Sequence, residues 1–161
     1  MHNESNRPKK TVSLARMRTW QSGLLQMEVH RLTKKYSDEF LLGYGLTTMQ
    51  WLIIGAILDT ADNGIRVTDL AEQAGTTLSY MTTSLNKLQE MCIVCKLEDQ
   101  TDSRSRKMIV CEHYRPTCLE IEEGLRNIFR KNIYSRISRQ ELETYITVLQ
   151  KLSEADYGPR L

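Results

Sequence analysis

The stretch from residue 65 to residue 113 constrains this chain more than any other. A short helical pattern over residues 69–74 is stopped by Gly75. Asp69 and Glu72 suit its positive end, and Thr68 reads as its cap. A second helix then starts behind Thr76 or Thr77 and runs to about Met91. Its apolar stripe is Leu78, Met81, Leu85 and Leu88, at spacings of three, four and three. Beyond it, residues 93–98 and 107–113 alternate with the period of strands, around a charged tip at residues 99–106. Ile93, Cys95 and Leu97 share one face, as do Ile109, Cys111 and His113, which places Cys95 opposite Cys111 on the inner side. A short helix, a glycine turn, an amphipathic helix and a hairpin together make a winged helix-turn-helix.

The flanks are helical. A pattern over residues 12–36 carries Leu14, Met17, Leu25, Val29, Leu32 and Tyr36. Gly43 and Gly45 mark a loop over residues 41–46, and Thr47 or Thr48 caps a helix over residues 49–61 striped by Met49, Leu52, Ile53, Ala56 and Ile57. Ile65, Arg66 and Val67 form a short link with room for one strand-like pairing. Pro116 opens a helix bearing Cys118, Ile121 and Leu125, and Ser138 caps a last one bearing Leu142, Tyr145, Leu149 and Leu152. The fold class is therefore mainly α with a small β-hairpin. Residues 1–11 read as a flexible basic tail and residues 12–161 as one domain, with the winged helix at 47–113. The helices at 12–36 and 115–153 lie outside it, with apolar stripes that need cover: each other, or a second copy as a homodimer.

At 161 residues the chain is long enough for one domain with a substantial core. No apolar run approaches the roughly 20 residues of a membrane span, and the polar start has no signal-peptide pattern, so the expected location is the cytoplasm. A net charge of +2 is uninformative, but residues 1–36 hold eight Lys/Arg against two Glu, whereas residues 37–75 hold one Arg against six Asp/Glu. The basic start fits either a phosphate-touching arm or a solvated tail.

Opposite the stripe of the second motif helix lie Thr76, Ser79, Tyr80, Thr83, Asn86 and Lys87, with Thr82 beside them. A merely solvated face favours Glu and Lys; five Ser/Thr between residues 76 and 83 cost helix propensity. Short hydroxyls and an amide are what a helix in the DNA major groove uses to read base edges. The hairpin tip adds Asp102, Arg104, Arg106 and Lys107, suited to phosphates or to a narrow minor groove, with Asp102 positioned to orient a guanidinium. Double-stranded DNA is the expected partner.

These residues resemble the multiple-antibiotic-resistance regulator (MarR) family over about residues 12–153. The resemblance is carried by Leu46-Thr47-Thr48-Met49-Gln50-Trp51, Val67-Thr68-Asp69-Leu70-Ala71, Leu85-Asn86-Lys87-Leu88 and, most diagnostically, the Asp-x-Arg-Ser wing from Asp102 to Ser105. It implies a homodimer joined by terminal helices, a major-groove helix and a minor-groove Arg104. It also implies a transcriptional regulator, commonly a repressor on a pseudo-palindromic operator, that answers a small aromatic effector; Trp20, Tyr44 and Trp51 are candidates to line its cleft. Two departures stand out: Cys92 occupies a position where many members have Gly, and Cys111-Glu112-His113-Tyr114 replaces the usual sequence after the second wing strand. The first helix lacks the reactive Cys of peroxide-sensing members.

No phosphate-cradling loop, hydrolase elbow or metalloprotease motif is present, so no catalytic residue, cofactor or metal is expected. Cys92, Cys95, Cys111 and Cys118, with His113, leave a thiol- or metal-responsive role open beside simple core packing. A winged helix that binds protein rather than DNA is the third reading.

Overall fold

The structure, a computed structural model, describes residues 17–97 and 107–154. Nine regular elements follow in order: α1 (Thr19–Leu41), α2 (Thr48–Leu58), β1 (Ile65–Arg66), α3 (Val67–Gln73), α4 (Leu78–Glu90), β2 (Val94–Leu97), β3 (Lys107–Val110), α5 (Arg115–Asn132) and α6 (Arg139–Ser153).

The tail at residues 1–11 and the expected helix start at residues 12–16, with Leu14, lie outside the described residues; the described helix runs past its expected end at residue 36. It begins at Thr19, where the Gln21 side chain accepts the Arg18 N–H at 2.8 Å, and it continues through Leu41 into a 3-10 turn at Leu42–Tyr44. Tertiary packing explains the extension. Leu41 is fully buried, and Phe40 reaches Gly124 of α5, where a Cβ would lie within 2.9 Å of Phe40 Cε2 and nearer still to Cζ. Only Gly45 ends the run, in left-handed backbone at φ +69°. Thr47 then caps α2 by accepting the Gln50 N–H at 3.2 Å, while the Gln50 side chain accepts the Thr47 N–H at 2.9 Å.

In the helix pair, α3 begins at Val67, so Thr68 lies inside it and its hydroxyl donates to Asp69 rather than capping. Gly75, at φ +60°, makes the turn: its N–H donates to the Glu72 carbonyl and that of Thr76 to the Ala71 carbonyl. Thr77 caps α4. The buried side of α4 is Met81, Ser84, Leu85 and Leu88; Leu78, expected in that stripe, is 51% exposed because it projects beyond the end of the core.

The wing is a three-stranded antiparallel sheet in the order β1-β3-β2, so the link at Ile65–Arg66 is a strand and not only a connection. Its register overturns the expected inner face. Cys95 pairs with Ile109, and Val94 pairs with Val110; Val94, Met108 and Val110 are buried while Cys95 and Cys111 are half-buried. The phase shift starts at Cys92, whose backbone is left-handed at φ +56°. Its N–H donates to the Gln89 carbonyl, and that of Ile93 to the Leu88 carbonyl, both at 2.9 Å. This is the glycine-type helix stop made by cysteine. Ile93 therefore belongs to the helix stop, and counting alternation from it puts the strand one residue out of phase.

The core joins α2, α3, α4, the sheet and α5 through residues such as Ile54, Ile57, Leu70, Met81, Met108 and Ile121. The terminal helices contribute little to it. Only Ser37 and Leu41 of α1 are buried, and no residue of α6 is, although Ser138 and Glu141 close a complete capping box at its start. Leu24, Leu25 and Met27 on α1 and Ile146, Val148, Leu149 and Leu152 on α6 are exposed. No single helix among the described residues is long and apolar enough to cross a membrane.

Candidate nucleic-acid interface

Helix α4 follows the Gly75 turn and offers one polar face. Ser79, Tyr80, Thr82, Thr83, Asn86 and Lys87 are exposed along it, and Thr76 is half-buried in the turn. Thr82 and Thr83 donate their hydroxyl protons to the carbonyls of Leu78 at 2.8 Å and Ser79 at 3.0 Å. With those protons committed, each presents outward an accepting oxygen and a methyl group. Such a pair of groups can accept from an amino donor and pack against a methyl. Asn86 keeps both donor and acceptor capacity, and Lys87 lies in the last turn, where the helix dipole favours a cation.

Of the expected wing residues, Asp102, Arg104 and Arg106 lie outside the described residues. Lys107 opens β3, opposite Leu97 on one side and Arg66 on the other. Sequence reasoning missed Arg66 and Lys96. Both line a cleft of about 370 Å³ between α4 and the sheet, with Leu78, Leu85, Val67 and Met108 as its apolar wall. The signal for Lys96 was a cation in the inward phase of a strand, legible only once the register is right.

A second cavity, of about 490 Å³, opens between α1, α2 and α5. Trp51, Phe129 and Tyr134 give it aromatic walls; Arg130 brings a cation, while Arg126 pairs with the lining Glu122 at 3.0 Å and Lys34 pairs with Asp38. Burial raises the Tyr134 phenol above its ordinary pKa, keeping it a neutral donor. Of the three aromatic candidates only Trp51 lines this cavity. Trp20 is exposed near the start of α1, while Tyr44 packs on Phe40 and donates to Glu120 at 3.0 Å.

All four cysteines are free thiols. Burial and the neighbouring Cys95 push Cys111 up to about 12, and burial pushes Cys118 up to about 11. Both are therefore protonated, weakly nucleophilic thiols at neutral pH. Cys118 packs in the core, Cys92 is exposed, and His113 stands exposed on the turn after β3. Among the described residues no three His, Cys, Asp or Glu side chains gather as a metal would require.

No family model matches the sequence. Solved structures do match the fold. CouR from Rhodococcus jostii RHA1, bound to p-coumaroyl-CoA, superposes with a TM-score of 0.74 at 16% identity, over 86% of this chain and 95% of that one. Sco3205, a MarR family transcriptional regulator from Streptomyces coelicolor in complex with DNA, gives 0.73 at 17% identity, over 89% and 92%. AbsC, a MarR family transcriptional regulator also from Streptomyces coelicolor, gives 0.71 at 17%, over 86% and 95%. This chain therefore has the fold of the MarR family transcriptional regulators.

Proposed function

We propose that this protein is a homodimeric, sequence-specific DNA-binding transcriptional regulator that acts as a ligand-responsive repressor. The observation that carries the reading is the exposed face of α4, where Ser, Thr and Asn replace the Glu and Lys of an ordinary solvated helix directly after a Gly75 turn. Sco3205, of the same fold, was crystallised with DNA. The exposed apolar residues of α1 and α6 favour a second copy as their cover, and two-fold symmetry would then match two DNA half-sites. The aromatic, cationic cavity between α1, α2 and α5 suits a small aromatic anion as effector.

The test is a salt-dependent binding assay on duplexes selected from a random pool. Arg104→Ala is expected to cost about 1–3 kcal/mol, and more on the selected duplex than on a scrambled one, as a groove-width contact should. Lys107→Ala is expected to weaken both duplexes equally. An Arg104→Ala protein that binds the selected duplex as tightly as the parent makes the wing a phosphate clamp only. Failure of the parent to bind any duplex leaves the protein-binding winged helix as the reading.

A further inference from the structure

We propose that the cleft between α4 and the sheet seats one sugar-phosphate strand of duplex DNA, with Arg66 and Lys96 at its phosphates and Leu78 against its deoxyribose. This rests on the DNA-binding reading and adds to it a contact that neither the recognition face nor the wing tip provides. A helix in the major groove and a wing in the minor groove must straddle the strand of backbone that separates the two grooves, so whatever lies between them meets that strand. Here that space is the cleft of about 370 Å³ lined by Arg66, Leu78, Thr82, Asn86, Lys96 and Met108 among others.

Its chemistry fits that occupant. Among the described residues no carboxylate lines it, whereas the cavity between α1, α2 and α5 carries Glu122 and the one between α2 and α5 carries Asp59 and Glu122. Lys96 is exposed and has no ion-pair partner among the described residues. Leu78 stands 51% exposed at the first turn of α4, where it offers an apolar surface on the same cleft as the two cations. Deoxyribose between two phosphates presents that pattern of apolar ring and flanking negative charge.

Fluorescence anisotropy of a labelled duplex of arbitrary sequence, titrated at several salt concentrations, tests the assignment. Lys96→Ala and Arg66→Ala should each weaken binding several-fold and reduce the slope of log K against log salt by about one. Lys96→Arg should restore the slope. Leu78→Ala should weaken binding with the slope unchanged, since it removes contact but no charge. Thermal unfolding of each variant checks the fold. If Arg66→Ala and Lys96→Ala match the parent while Lys87→Ala or Lys107→Ala lowers the slope, the cleft is empty in the complex and the DNA reading stands without it. If Lys96→Ala leaves DNA binding intact and abolishes binding of benzoate measured by calorimetry, the cleft is a small-anion site and the proposal is overturned. If the parent binds no duplex at all, the proposal and the reading beneath it both fall.

Discussion

Cys92 concentrates the chemistry of a single residue. It holds a left-handed conformation at φ +56° in the stop that ends α4, a position that costs an L-residue roughly 1–2 kcal/mol. The equivalent stops after α1 and α3 use Gly45 and Gly75. Replacing Cys92 with Gly removes the strain and loosens the unfolded chain, an offset of about 0.4–1 kcal/mol. We expect Cys92→Gly to raise the unfolding free energy by about 0.5–1 kcal/mol, read from the urea midpoint. Cys92→Ala should leave it nearly unchanged, because the backbone strain persists; a gain with Ala equal to that with Gly would mean that the thiol, not the conformation, is at fault. The same residue shows the limit of periodicity. Thr47, Thr77 and Ser138 cap where the sequence puts caps, because a cap is a local bargain between one oxygen and one N–H. Alternation counted from Ile93 gives the wrong inner face of the wing, because one left-handed residue resets the phase of everything after it.

At the scale of elements, α1 is held by two contacts of different kinds. Phe40 fills the space above Gly124 on α5, so Gly124→Ala must push the ring aside. It should lower stability by roughly 1–3 kcal/mol, and Phe40→Leu in the same chain should recover part of the loss. Additive losses in the double variant would show that the two sites do not touch. Toward α2, the Asp38 carboxylate accepts from the Thr48 hydroxyl at 2.5 Å and from its N–H at 3.3 Å, and pairs with Lys34. The Lys34 ammonium and the Thr48 hydroxyl hold the Asp38 pKa below its ordinary value of 3.8. A lowered folded pKa stabilises the fold above the unfolded value and loses that contribution as pH falls through the folded one. Asp38→Asn should therefore lower stability at neutral pH by less than about 1 kcal/mol, for so exposed a group, and the two proteins should converge only as pH falls below 3.8 and through the lowered folded pKa. Equal melting temperatures at neutral pH would remove Asp38 from the link. Lys34 and Asp38 are an ordinary i,i+4 pair on one helix, but the reach of Asp38 to Thr48 and of Phe40 to Gly124 crosses between helices, so no helical pattern shows either contact.

For the whole molecule, the element order and most caps were legible because each depends on neighbours within a few residues. The cleft between α4 and the sheet was not, because it depends on register across strands. The exposed apolar stripes on α1 and α6 belong to this scale. We expect sedimentation equilibrium to give a dimer at micromolar concentration, and paired Ile146→Glu and Leu149→Glu substitutions to weaken association by at least about tenfold, the equivalent of 1.4 kcal/mol. A parent protein that sediments as a folded monomer refutes the assembly.

Helix α6 is well capped and buries none of its own residues against the rest of the chain. Short isolated helices are marginal in water, so in the proposed dimer its order comes largely from the second copy. In that assembly dilution acts on the protein as a denaturant does. The melting temperature should climb with concentration, and a cell holding few copies would hold a larger fraction of chains with a frayed, protease-sensitive end. In the proposed dimer the last helix would couple the protein's lifetime to its own abundance.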